Sequence, residues 1–118
     1  MMNSQISKLA LRRLLGAIGG DSDDLEELRE DYLGIAPILA QRLAFAHAQG
    51  DRETLKITAH EFKSNARDFG ADAVADLCEA LERNTAAGTE IDQNAIDDIL
   101  RAEEEARVSL ANIDLSDV

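Results

Sequence analysis

Leu55, Ala59, Phe62, Ala66 and Phe69 recur at intervals of four, three, four and three residues. At roughly 100° per residue this spacing gathers them into one apolar stripe along an α-helix, whereas a strand would scatter them over both faces. The same geometry places His60, Lys63, Ser64 and Arg67 on the opposite side, with Lys56 one turn earlier. The imidazole is therefore expected in water, beside cations and a hydroxyl. A histidine there offers little to a core and is well placed to react with a group carried by another protein.

Similar stripes precede and follow this segment, and the breaks between them carry helix stop and start signals. Residues from about 4 to 17 read as a short amphipathic helix with Ile6, Leu9, Ala10, Leu14 and Ala17 inward, closed by Gly19-Gly20. Asp21 to Asp24 offer N-caps, and Asp23 with Glu26 has the spacing of a capping pair. A second helix, about 23–48, turns Leu25, Leu28, Tyr32, Ile35, Leu39, Leu43 and Ala46 inward. Pro37 falls inside it, and an interior proline costs about 3 kcal/mol. The apolar spacing continues in phase past Pro37, so one kinked helix is predicted rather than two.

Gly50-Asp51 reads as a terminal glycine followed by the N-cap of a third helix, about 52–69, which bears His60. Gly70 closes that helix. Asp72 is placed to cap a fourth, about 73–86, with Val74, Leu77, Cys78 and Leu81 inward. A fifth, about 92–112, buries Ile96, Ile99, Leu100, Ala106 and Leu110, while Glu103-Glu104-Glu105 reads as a solvated face. Residues 113–118 are expected to fray. The predicted fold is all-α: an antiparallel up-down-up-down four-helix bundle over about 23–112, with an additional short N-terminal helix, in a single domain spanning 1–118.

The formal net charge of −12 weighs against binding nucleic acid. No apolar run approaches the roughly 20 residues that span a bilayer, and the N-terminal segment lacks a secretory pattern. A single cysteine, Cys78, excludes an internal disulfide framework and a cysteine-based zinc site, and the cytoplasm is the expected compartment. Gly19-Gly20 is not followed by Gly-Lys-Ser/Thr, so no nucleotide site is expected. A di-metal carboxylate bundle would need Glu-x-x-His pairs. Here Ala44 and Ile57 stand three residues before His47 and His60, and Ser64 replaces the second histidine of a His-Glu-x-x-His site. No metal ligands are therefore assigned. His47 has Gly50 where His60 has Lys63, which argues against a second reactive histidine.

Several segments carry a resemblance. They are Leu14-Leu15-Gly16-Ala17-Ile18-Gly19-Gly20-Asp21, then Tyr32-Leu33, Pro37, Leu43 and Gly50-Asp51. After these come Ala59-His60-x-Phe62-Lys63-Ser64-Asn65-Ala66-x-x-Phe69-Gly70-Ala71 and Leu77-Cys78-Glu79-x-Leu81-Glu82. In this order, over most of its length, the chain resembles the histidine-containing phosphotransfer (HPt) domain of two-component phosphorelays.

The resemblance implies that His60 is phosphorylated and that Lys63 and Ser64 lie beside the phosphoryl group. Lys56 and Arg67 would then meet the docking partner, and Gly70 and Pro37 would serve the fold. The implied partners are receiver domains of response regulators and hybrid histidine kinases. They would bring the aspartate and Mg2+, while this chain would bind no cofactor and act as a phosphocarrier without an ATP site. The terminal methionines and short ends suggest a free-standing protein, and a monomer is expected. Many members have glycine where this chain has Ser64, a change that bears on partner choice or phosphohistidine lifetime. Phe62, where leucine is common, is a conservative core change. The alternative reading is a non-phosphorylated helical adaptor that inhibits a receiver or kinase domain by covering it.

The residues suit the implied chemistry. A neutral imidazole nitrogen can attack phosphorus near pH 7. Phosphoryl transfer asks for alignment and charge neutralisation more than for covalent help. Lys63, about 5–6 Å from His60 between Cβ atoms, is close enough to reach the incoming oxygens.

Overall fold

Short polar breaks divide the chain into α1 (Lys8–Ala17), α2 (Ser22–Ala48), α3 (Arg52–Asp68), α4 (Asp72–Ala86) and α5 (Gln93–Ala111), followed by a 3₁₀ turn at Leu115–Asp117. The computed structural model describes residues 6–118, and no strand occurs among them. Gly50 leaves α2 in the left-handed region, at φ +68°, which glycine enters without steric cost. Asp51 then accepts a hydrogen bond from the Thr54 amide at 3.1 Å and starts α3.

Helices α2 to α5 pack in a ring, each against its chain neighbours, with α5 closing back on α2 and α1 lying on α2 and α3. Partners across the α3–α4 seam give the direction. Arg52 reaches the carbonyls of Asn84 and Thr85, His60 meets Glu82, and Arg67 meets Asp76 and Glu79. Rising numbers on one helix meet falling numbers on the other, so the two run antiparallel. All five residues of the α3 stripe are buried, and Phe62 is the largest side chain sealed in the core. Cutting it to alanine would cost about 3–5 kcal/mol.

Helix α2 runs unbroken through Pro37. The proline has no N–H for the Leu33 carbonyl, a cost of about 3 kcal/mol. Tyr32, Ala36, Leu39, Ala40 and Leu43 remain buried on either side of it. Each large apolar side chain among them contributes about 1.5–3 kcal/mol, which outweighs the defect.

The N-terminal helix starts at Lys8, capped by the Ser7 hydroxyl, which accepts from the Ala10 amide at 3.2 Å. Ser4 and Gln5, included in the predicted helix, lie outside the described residues. Leu11, not Leu9, is the buried residue of α1, with Leu14, Leu15 and Ile18 partly buried beside it, while Leu9 and Ala17 are exposed. Leu11, Leu14, Leu15 and Ile18 form a three-four pattern of their own. The rotation of α1 is fixed from outside the helix. The Ser7 amide donates to the Gly70 carbonyl at 2.8 Å, and a Cβ on Gly70 would fall 2.5 Å from the Ser7 carbonyl oxygen.

Capping also departs from expectation at two places. Asp21, not Asp23, caps α2, and Glu26 pairs with Arg29 at 2.7 Å instead of reaching back. Asp72 is already inside α4, whose N-cap is Ala71 with no side-chain bond.

The C-terminal tail, expected to fray, is packed. Leu115 is buried, and Arg29 donates to the carbonyls of Leu110 at 3.1 Å and Ile113 at 2.6 Å. Arg29 is buried in doing so because the end of α5 offers carbonyls without helical donors. Glu103 is likewise buried rather than solvated, held by Arg107 at 2.7 Å. At the α2–α3 turn, Arg52 donates to the carbonyls of Thr85 at 3.2 Å and Thr89 at 2.7 Å, closing the C-terminal end of α4. His47 lies 2.9 Å from the Ile91 carbonyl, a structural contact.

Candidate functional site

His60 projects from the middle of α3 with 63% of its side chain exposed. The ring is nevertheless held. Its Nδ1 lies 2.8 Å from Oε2 of Glu82 on α4, and the Lys63 ammonium donates to Oε1 of the same carboxylate at 2.8 Å. One carboxylate thus spans two groups that stand one turn apart on α3. The antiparallel register of the α3–α4 seam brings it there, and Phe62 between them anchors α3 from below.

The charge state of Glu82 assigns the ring. The Lys63 hydrogen bond first, and the His60 contact after it, hold the Glu82 carboxyl below its ordinary range against the opposing effect of burial. An ionised carboxylate only accepts, so Nδ1 carries the proton it shares with Glu82. In the neutral ring the lone pair then sits on Nε2, the nitrogen turned away from Glu82. Free rotation of an exposed histidine would leave both tautomers available, and this contact selects one.

The other predicted residues distribute unevenly around this centre. Ser64 is exposed on the next turn of α3. Arg67 is drawn toward α4, with its guanidinium 3.3 Å from both Asp76 and Glu79, so its charge is already balanced. Lys56 is exposed and makes no ion pair among the described residues. Gly70 acts through the fold, holding Ser7 at the end of α3. Pro37 lies in α2 and makes no polar contact with the site.

Glu82 was not singled out by the sequence reading, although it closes the Leu77–Glu82 segment; its spacing on α4 gives no sign of which side chains it meets. Arg42 of α2 pairs with Glu61 at 3.6 Å beside His60, a second contact the sequence did not reveal. Cys78, one turn before Glu82, is sealed in the core, and burial pushes its thiol up to about 12.

Among the described residues, no group of three or more His, Cys, Asp or Glu side chains is arranged to hold a metal ion. No helix there is long and apolar enough to cross a membrane.

The Hpt domain family model matches residues 22–107, which take in α2 to α4, most of α5 and every residue of the His60 centre. The chain belongs to the Hpt domain family. Its family ties it to phosphotransfer in two-component systems. The fold of this Hpt domain is similar to the crystal structure of the HPT domain from an Hpt sensor hybrid histidine kinase from Shewanella. The overlap covers 92% of this chain and 93% of that one, with a TM-score of 0.73 and 18% identity. No curated protein matches the chain. The family match begins at the first residue of α2, so α1 falls outside it although the Ser7–Gly70 contact joins α1 to the helix that carries His60.

Proposed function

We propose that this Hpt domain carries a phosphoryl group on Nε2 of His60. It would receive the group from a receiver-domain aspartate or a kinase and pass it to another receiver. The observation that carries this reading is the exposed ring of His60 with Nδ1 engaged by an ionised Glu82. The Nε2 lone pair attacks phosphorus as the bond to the donor's oxygen breaks, and the donor carboxylate leaves. The Nδ1 proton stays on the ring, which gains positive charge as the N–P bond forms. The Glu82 carboxylate already faces that proton, so stabilisation requires no rearrangement at the moment of transfer.

Lys63 uses one of its N–H donors on Glu82 and keeps two for the phosphoryl oxygens. Ser64 offers a hydroxyl on the same side. Glu82 is engaged by both neighbours, and among the described residues no group of carboxylates is arranged to hold Mg2+. The ion would come with the receiver and neutralise phosphoryl charge from that side. We place the protein in the cytoplasm as a monomer.

The test is incubation with receiver domains charged by acetyl phosphate, followed by assay for an acid-labile, alkali-stable phosphoryl group. Wild-type protein is expected to acquire one and His60→Gln to acquire none while keeping its helical spectrum. Label persisting in the variant would disprove the assignment. Tight binding to a receiver with no transfer would favour the steric adaptor.

A further inference from the structure

The Nδ1 edge of the His60 ring faces α4, where Glu82 holds it at 2.8 Å. The two nitrogens of an imidazole point away from each other, so Nε2 is turned toward the other neighbour of α3. That neighbour is α2. At roughly 100° per residue, Lys56, Lys63 and Arg67 fall on the α4 side of His60, whereas Glu61 and Ser64 fall on the α2 side. The cations singled out by their spacing on α3 therefore lie on the side that Nε2 leaves.

Arg42 supplies a cation on the side that Nε2 faces. Helices α2 and α3 are antiparallel neighbours joined through the Gly50 turn, and Arg42 and Thr58 stand equally far from Gly50. The arginine thus arises at the height of the turn of α3 that bears His60. Its guanidinium lies 3.6 Å from the carboxylate of Glu61, the residue after His60. That separation is too long for a hydrogen bond. The two side chains are 44% and 47% exposed, and a pair so placed is weakly held and easily exchanged. Lys63 is bound more closely, 2.8 Å from Glu82, and Arg67 is shared between two acids of α4 at 3.3 Å.

We infer that Arg42 is a phosphoryl-contacting residue, whose guanidinium turns from Glu61 to the phosphoryl oxygens when His60 carries the group on Nε2. The inference rests on the phosphocarrier reading above and adds to it a cation from a second helix. The arriving group brings about −1.5 to −2 charges beside Glu61, a carboxylate that repels it. Arg42 balances Glu61 at rest and forks onto two phosphoryl oxygens once the group is loaded. The arginine stays protonated throughout and exchanges one anion for another. Lys63 then holds the group from the α4 side and Arg42 from the α2 side.

Phosphoramidate, a small donor that needs no docking surface, loads His60 directly. The second ionisation of the phosphoryl group is then followed by phosphorus NMR between about pH 5 and 9, around an ordinary value near 6. A guanidinium in contact favours the dianion and lowers that pKa. In Arg42→Gln the pKa is expected to rise by about 0.5 or more above wild type. Arg42→Lys keeps the charge without the fork and is expected to fall between the two. Arg101→Gln removes a cation on α5, where it pairs with Asp98 at 3.0 Å, and is expected to leave the pKa within about 0.2 of wild type.

A titration in Arg42→Gln equal to that of wild type would overturn the inference. So would a rise of the same size in Arg101→Gln, which would reduce the effect to net charge. Should Arg42→Gln lose its helical spectrum, Arg42→Lys decides, and a pKa no higher than wild type would overturn the inference. Failure of phosphoramidate to label wild type would remove the phosphocarrier reading itself. Label on His60 with an unmoved titration in the variants would remove Arg42 alone.

Discussion

Oε2 of Glu82 stands 2.8 Å from Nδ1 of His60, although the two residues lie 22 positions apart in the chain. The contact decides which ring nitrogen can react. Replacing Glu82 by alanine frees the ring to rotate and exchange tautomers. Transfer to His60 is expected to slow by roughly tenfold, equivalent to about 1.4 kcal/mol in the barrier. Glu82→Gln can still accept from Nδ1–H but cannot balance the charge that develops on the ring, so it should fall between wild type and alanine. Single-turnover rates with a charged receiver measure both. Rates equal to wild type would reduce Glu82 to a helix-surface anion.

Lys63→Ala removes the cation that shares Glu82. Lys63 is half-buried against α4, and its loss touches neither the α3 stripe nor a cap. The helical spectrum is expected to persist while the transfer rate drops by about tenfold, the usual scale for one charge-assisted contact to a transferring group. A rate equal to wild type would show that the lysine serves only to hold Glu82.

The same carboxylate predicts a pH dependence. Its folded-state pKa is depressed, first by Lys63 and then by His60, from an ordinary value of 4.5. A depressed acid stabilises the fold when ionised. That contribution is complete above the unfolded-state value and is lost as pH falls through the folded one. The melting temperature of wild type should exceed that of Glu82→Gln at neutral pH, and the gap should close as pH falls below 4.5 and through the depressed folded-state value. Asp51 and Asp114, also held low by the Thr54 and Ser116 contacts, are common to both proteins and cancel in the difference. A gap that is constant with pH would contradict the ion-pair account.

Gly70 tolerates no side chain. Its φ of +75° and the Ser7 backbone 2.5 Å from a would-be Cβ act together. Gly70→Ala is expected to destabilise by about 1–3 kcal/mol, because either the backbone strains or α1 lifts away. Thermal melts would show the loss. Hydrogen exchange at the Ser7 amide would show whether α1 has detached.

Arg29→Met tests the tail. It removes the donors to the Leu110 and Ile113 carbonyls, at a cost of about 1–3 kcal/mol, while Glu26 stays exposed to water. Amide exchange over residues 113–118 should accelerate. Unchanged protection there would mean that burial of Leu115 alone holds the segment.

The reactive face was legible because it depends on one helix. The 3.6-residue period alone puts His60 opposite Phe62 and Ala66, and the order of stops and starts gives the bundle. Glu82 was not legible, because its meeting with His60 depends on the register between α3 and α4, which no local pattern encodes. Glu103 was misjudged, and Arg29 passed over, for a related reason. A charge in an amphipathic sequence reads as solvated unless its partner is known, and here the partners are carbonyls at the end of α5 and an arginine one turn on. In α1 two apolar stripes were compatible with the sequence, and the distant Ser7–Gly70 contact selects between them.

Cys78 is the only cysteine in the chain and is sealed beneath the helix that supplies Glu82. Thiol reagents added to the native protein should find nothing to modify until the helices part. The molecule therefore carries its own gauge of breathing, and the pace of alkylation can be followed before and after phosphate is loaded, with no dye or tag attached.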